Sequence, residues 1–202
     1  MKKITLALLG LLAFSTNAIA QQEVKFGPKA GVNFTNLSGL DESEMKIGFH
    51  VGAVAEIKFN DKFSIQPEVV YSTQGAKYST VMIPNGTIEA EIKNDYINVP
   101  ILGKYYFVEG LSLEFGPQFG FLMKSETKGA NSTIDTKDGY KSIDVGLAVG
   151  LAYDLPMGVF VGARLNAGLT KVNEDIKVGN TTVETKDLKN MPVIQVGIGY
   201  KF

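Results

Sequence analysis

The chain contains a single histidine, His50, which is its most versatile residue for chemistry. An imidazole beside a carboxylate can accept and release protons, and the spacing places Glu56 on the same face as His50 if the segment is a strand. No partner that would complete a catalytic group with this pair can be identified from the sequence. We therefore predict no catalytic residues and no enzymatic activity.

Charged residues recur at alternate positions of otherwise apolar segments, which predicts that they face one interior together. The predicted polar network consists of Lys29, His50, Glu56, Glu68, Lys104, Glu114 and Arg164. Lys58 and Asp144 have the same parity, meaning that they occupy the same alternating positions as this set, and they are expected to form ion pairs with its members. Because buried charges persist only when they are paired and hydrogen-bonded, we interpret this set as structural packing.

Composition excludes several classes of site. The absence of cysteine excludes disulfides and thiolate metal sites, and with one histidine a metal would need oxygen ligands alone. Neither an EF-hand loop nor a His-x-x-x-His pattern occurs, so no metal or other cofactor is predicted. The 20 basic and 21 acidic residues are too balanced to indicate a nucleic-acid partner.

The elements that carry these residues alternate apolar and polar side chains with a period of two, the signature of half-buried strands. The clearest segment is 47–59, where Phe49 and Val51 face away from His50 and Glu56. Eight segments follow this pattern: 26–34, 47–59, 63–71, 97–107, 111–123, 143–153, 159–169 and 192–202.

The connections between these segments alternate between short and long. The short ones are 60–61, 108–110 and 155–158, and the long polar ones are about 38–45, 79–92, 125–141 and 171–189. This rhythm is typical of up-and-down outer-membrane barrels, with short turns in the periplasm and long loops outside. Gly179-Asn180 between two β-prone triplets predicts a further hairpin within the last loop. The predicted fold is an all-β, eight-stranded antiparallel transmembrane β-barrel.

The polar face is rich in glycine, for example at Gly31, Gly52 and Gly197, which suits a crowded interior. The apolar face would then point outward, where only lipid tolerates it. Aromatic residues near the short turns, such as Phe26 and Phe63, fit an interfacial girdle. The alternative is a soluble, lipocalin-like periplasmic barrel with the apolar face inward.

Residues 1–20 have the features of an export signal: a positive start, an apolar run over 4–14 and a small-x-small motif at 18–20. The run is shorter than the roughly 20 residues that a membrane-spanning helix needs. We predict cleavage of this signal, which leaves 21–202 as one barrel domain in the outer membrane.

Several motifs carry a resemblance to a known family. They are FGPKAGVN at 26–33, QPE at 66–68, NVPI at 98–101, KYYF at 104–107 and GIGYKF at 197–202. Together they resemble the PorT-like outer-membrane β-barrel family of Bacteroidetes over essentially the whole chain after the signal. The resemblance implies fold and location, and it implies that Tyr200 and Phe202 form the signal read by the barrel-assembly machinery. A link to protein secretion belongs to one branch of that family.

These observations predict a monomeric, non-enzymatic integral outer-membrane protein with a structural role or a binding role through its extracellular loops. Its partners would be outer-membrane lipid, the assembly machinery during insertion and an extracellular ligand. The alternatives are a transport or secretion accessory with a secretion partner, or a narrow pore.

Overall fold

The computed structural model describes residues 23–38, 43–83, 86–129, 132–172, 176–178, 181–183, 189–190 and 192–202. The predicted signal at 1–20 lies outside these residues. Eight long strands occur in the described part of the chain: β1 Glu23–Thr35, β2 Lys46–Lys58, β3 Phe63–Ile83, β4 Gly86–Val108, β5 Leu111–Lys128, β6 Ile143–Asp154, β7 Val159–Gly168 and β8 Val193–Tyr200. No described helix is long and apolar enough to cross a membrane.

Each strand pairs antiparallel with the next, and β8 pairs with β1, so the sheet closes on itself. The closing seam pairs residues 29–34 with residues 194–199. Closure removes the unpaired strand edges that hydrocarbon would not tolerate. The predicted eight-stranded up-and-down barrel is confirmed.

The two faces of the wall follow the predicted parity. Along β5, Ser112 and Glu114 are buried in the lumen, whereas Leu113 and Phe115 are 44% and 57% exposed on the outside. The same alternation holds in β4, the least regular segment of the sequence. The protein therefore has an apolar exterior and a polar interior.

A charge on the outer face should be poorly tolerated. Leu151 is half exposed on the outer face, at the level of Glu114. We expect Leu151→Arg to lower the unfolding free energy in phospholipid vesicles by about 2–4 kcal/mol. Urea titration of the folded protein in vesicles measures this change. The Leu151→Ala variant is the control, since it leaves the position apolar; an arginine variant as stable as this control would contradict a lipid-facing surface.

Local chemistry shapes the short turns. The Asn60 side-chain oxygen accepts hydrogen bonds from the backbone nitrogens of Lys62 and Phe63, both at 2.9 Å. Gly110 and Gly158 have φ angles of 75° and 88°, a region that residues with a Cβ seldom adopt. These turns hold the strand ends at one rim, which also carries the described C-terminus.

The predicted loop 79–92 differs from expectation, because most of it continues β3 and β4. These strands contain 21 and 23 residues, whereas about 9–11 residues suffice to cross a bilayer. Their cross-strand pairing, which includes the pair Thr80 and Ile88, continues the sheet through this segment. Roughly half of each strand therefore extends beyond the membrane on the side opposite the short turns.

Other parts of the long loops pack around this extension. The short strand Ser43–Glu44 pairs with β3, and Thr133–Asp135 pairs with β5. A small apolar cluster packs at the extracellular end. Its members are Ala76, Ile92 and Val172, with Tyr140 packed against them. The predicted hairpin is confirmed as strands Ile176–Val178 and Thr181–Val183, although its Gly179-Asn180 turn lies outside the described residues.

Candidate functional site

A cluster of charges crosses the middle of the lumen. Arg164 on β7 donates hydrogen bonds to both Glu68 oxygens at 3.0 and 2.8 Å. It also donates from Nη2 and Nε to Glu114 Oε2 at 2.8 and 3.3 Å. Lys29 donates to Glu68 at 3.1 Å. This central cluster connects strands β1, β3, β5 and β7 through side chains that are almost wholly buried.

Lys104 connects the central cluster to charges nearer the short turns. Its ammonium donates to the Gln66 side-chain oxygen at 3.2 Å. It lies 3.9, 3.7 and 3.6 Å from carboxylate oxygens of Glu56, Glu114 and Asp154. Because no single carboxylate holds it closely, Lys104 balances the charge of all three.

A second cluster closes the periplasmic end of the lumen. Lys201 contacts Glu56 at 2.5 Å and Asp154 at 2.7 Å. The Tyr106 hydroxyl lies against Glu56 and 2.6 Å from Asp154, and its one proton can be donated to only one of them at a time. Burial lowers the pKa of Lys201, which lies just beyond β8, but the Glu56 and Asp154 carboxylates raise it, and the net pKa lies above the usual value.

The prediction that His50 lies beside Glu56 is wrong. His50 Nδ1 instead lies 2.7 Å from Asn33 Oδ1, which also accepts a hydrogen bond from Gln195 at 3.1 Å. Six residues along a strand share a face but are separated by roughly 20 Å. Parity correctly indicated the lumen, but it did not indicate the level within it.

Lys58 and Asp144 have contacts that the ion-pair prediction does not include. The Lys58 ammonium lies over the Tyr106 ring, 5.2 Å from its centre. Asp144 accepts a hydrogen bond from Thr170 at 2.7 Å, near the other end of the barrel. The prediction omitted Tyr106, Asp154, Lys201 and Gln66 from the network, although the alternation had placed all four on the polar face.

Glycines make room for the large lumenal side chains. A Cβ on Gly31 would lie 2.5 Å from the His50 ring, and one on Gly197 would lie 2.9 Å from its Nε2. A Cβ on Gly199 would meet the Phe160 ring at 2.3 Å. The seam between β1 and β8 thus accommodates side chains from β2 and β7.

The clusters leave little space within the described lumen. A cavity of about 10 Å³ lies among Lys29, His50, Glu114 and Arg164. A larger cavity of about 760 Å³ lies at the short turns. Tyr106 lines it together with Glu56, Asp154 and Lys58, which contact the Tyr106 side chain. Among the described residues, no group of three or more His, Asp or Glu side chains could hold a metal ion.

Tyr200 and Phe202 lie on the outer surface at the periplasmic rim. Their rings meet edge to face, 5.1 Å apart, and Phe202 donates a backbone hydrogen bond to Phe26 at 3.0 Å. Lys201 between them points into the lumen. The role of the two aromatic residues as an assembly signal stays a prediction.

The apolar wall, polar interior and closed pairing define an integral membrane β-barrel. The chain belongs to the family described as outer membrane protein beta-barrel domain, which matches residues 19–174. It is therefore an outer-membrane β-barrel protein. No curated protein matches the chain.

Two solved outer-membrane barrels have a similar fold. One is Ail, the attachment invasion locus protein of Yersinia pestis, which was solved with the heparin analogue sucrose octasulfate. It is 15% identical in sequence with a TM-score of 0.50, and the match covers 89% of this chain and 99% of Ail. Neisserial surface protein A is 17% identical with a TM-score of 0.51, covering 90% of this chain and 99% of that protein. Identities this low show a likeness of fold alone.

Proposed function

We propose that this protein is a non-enzymatic outer-membrane barrel that binds an extracellular macromolecule through the part of β3, β4 and β5 that extends above the membrane. The observation that carries the proposal is the length of β3 and β4, whose paired residues continue to Ile83 and Gly86. A barrel that served only to span the membrane would need about half of these residues. The extension presents a hydrogen-bonded sheet surface outside the cell.

The filled lumen supports binding over passage of solutes. Arg164, Glu68 and Glu114 occupy the centre of the barrel, and eight-stranded barrels have interiors that side chains can fill. Ail offers one further support, because a barrel of this fold was solved with a heparin analogue. The secretion role implied by the resemblance to the PorT-like family stays a prediction.

The binding test shortens the extension and leaves the barrel intact. Lys77 and Glu91 pair directly across β3 and β4, so residues 78–90 can be replaced by an Asn-Gly turn that joins them. We expect cells that carry this variant to lose binding to an immobilised panel of glycans, including heparin, and of cell-surface proteins by at least about ten-fold, equivalent to 1.4 kcal/mol.

A matched variant shortens the hairpin formed by Ile176–Val178 and Thr181–Val183, with residues 177–182 replaced by Asn-Gly. It should retain binding, and both variants should retain the gel shift between unheated and boiled samples. Equal binding by the wild type and the variant shortened at 78–90 would contradict the proposal. Single-channel current from the purified wild-type protein would favour the transport alternative instead.

A further inference from the structure

One nitrogen in the lumen has an unmet hydrogen-bonding requirement. The Asn33 amide nitrogen donates to Phe49, Ser72 and Thr73, which identifies its Oδ1 as the acceptor that faces His50. His50 Nδ1 must therefore be the donor in their 2.7 Å contact. In a neutral ring, Nε2 is then an acceptor. His50 is 1% exposed, and Nε2 has no partner among the described groups.

A small cavity adjoins this nitrogen. It measures about 10 Å³. Its lining combines polar side chains, two apolar side chains and two glycines: Lys29, His50, Glu114, Arg164 and Gln195, then Ala152 and Phe160, then Gly162 and Gly197. The glycines contribute no side chains and therefore leave this space open. It lies between the seam and the central cluster. A volume of about 10–15 Å³ is the smallest that accommodates one water molecule.

The lining also provides the other partners that a water requires. The described hydrogen bond of Lys29 is to Glu68, which leaves two of its three N–H groups available. Glu114 accepts from Arg164 at Oε2, while its Oε1 lies 3.7 Å from Lys104, beyond hydrogen-bonding distance. One donor and two acceptors therefore surround the cavity.

We infer that this cavity binds one ordered water molecule, which accepts a hydrogen bond from Lys29 and donates to His50 Nε2 and Glu114. Lys29 and Arg164 line the cavity, but the described hydrogen bonds of Arg164 go to Glu68 and Glu114. The position is therefore unfavourable for a chloride ion, which would face the Glu114 carboxylate and the lone pair of Nε2. The water joins two groups that are otherwise separate: the His50, Asn33 and Gln195 group at the seam, and the central cluster. These two groups then form one continuous hydrogen-bonded network.

The single histidine makes this inference directly testable by NMR. In protein labelled with ¹⁵N-histidine and folded in detergent micelles, every imidazole signal comes from His50. We expect one protonated nitrogen, Nδ1, and one unprotonated nitrogen, Nε2, shifted upfield by an accepted hydrogen bond. A magnetisation-transfer peak between bound water and the ring Hε1 should also appear.

The Gly162→Ala variant should remove the water. Its new Cβ would occupy the cavity wall and meet its nearest described neighbour, the Leu151 carbonyl oxygen, at 3.3 Å. The Nε2 signal should then move downfield, and the water peak should disappear. The Gly103→Ala variant is the control, because its Cβ lies on the outer face and meets only the Phe115 carbonyl oxygen at 3.6 Å.

Three results would overturn the inference. They are a protonated Nε2 in the wild-type protein, unchanged His50 signals in a folded Gly162→Ala variant, and two protonated nitrogens whose shifts depend on chloride concentration. If Gly162→Ala does not fold, the presence or absence of the water peak in the wild-type protein decides the question.

Discussion

The Arg164→Met variant should lose about 3–5 kcal/mol of unfolding free energy, because the substitution leaves buried carboxylates without their strongest partner. Arg164 donates four hydrogen bonds, two to Glu68 and two to Glu114, and neither carboxylate is accessible to bulk water. Urea titration in phospholipid vesicles measures the loss. The temperature at which the compact form disappears on an unboiled gel should fall in parallel.

Two companion variants test the reason for that loss. Arg164→Lys keeps the positive charge but loses the planar guanidinium donors. Its unfolding free energy should therefore lie between those of the wild type and the methionine variant. Adding Glu68→Gln and Glu114→Gln to Arg164→Met removes the uncompensated charges and should recover part of the stability. If the triple variant is less stable than the single variant, charge burial is not the dominant effect.

A methyl group at Gly27 should prevent closure of the barrel. A Cβ at this position would lie 1.6 Å from the Tyr200 carbonyl oxygen and 2.7 Å from its carbonyl carbon. These are backbone atoms of the facing strand, so no rotation of a side chain relieves the clash. We expect the disruption in Gly27→Ala to exceed the about 1–3 kcal/mol typical of overpacking, with loss of most of the heat-modifiable form.

The matched control for Gly27→Ala is again Gly103→Ala, which adds the same methyl group in β4. Both substitutions reduce backbone freedom in the unfolded chain equally, so that contribution cancels between them. The fraction of compact protein on an unheated gel is the measurement. A compact fraction in Gly27→Ala equal to that of the control would show that β1 and β8 separate at this point without loss of the fold.

The strand pattern could be read from the sequence because alternation is a local property. For example, Glu114 lies between Leu113 and Phe115 in the sequence. This order alone indicates a strand with one polar and one apolar face, whichever strands lie beside it. The contacts of the lumen depend instead on register. Arg164 meets Glu68 across 96 residues of sequence, and no local pattern specifies that their levels coincide.

The errors have the same physical origin. The alternation predicts that His50 lies beside Glu56 because it gives the side of the wall on which a residue lies but not its height along the barrel. The sequence predicts a loop over 79–92 because the stretch contains the turn-prone pair Asn85-Gly86, although Ile88, Ala90 and Ile92 alternate with glutamates as in a strand. In the extension of β3 and β4, regular structure comes from the pairing of the two strands with each other, and the register of that pairing is not a local property of the sequence.

The contact between Lys201 and Glu56 joins positions 145 residues apart, and the contact between Gln195 and Asn33 joins positions 162 residues apart. Such separations give the barrel a high contact order, which slows folding because distant segments must meet before their contacts stabilise the chain. Lys201 is synthesised 145 residues after Glu56, so Glu56 lacks this partner while the strands between them are being made. The ion pairs that close the periplasmic end therefore form only after β8 has been synthesised, and they cannot stabilise any shorter part of the chain.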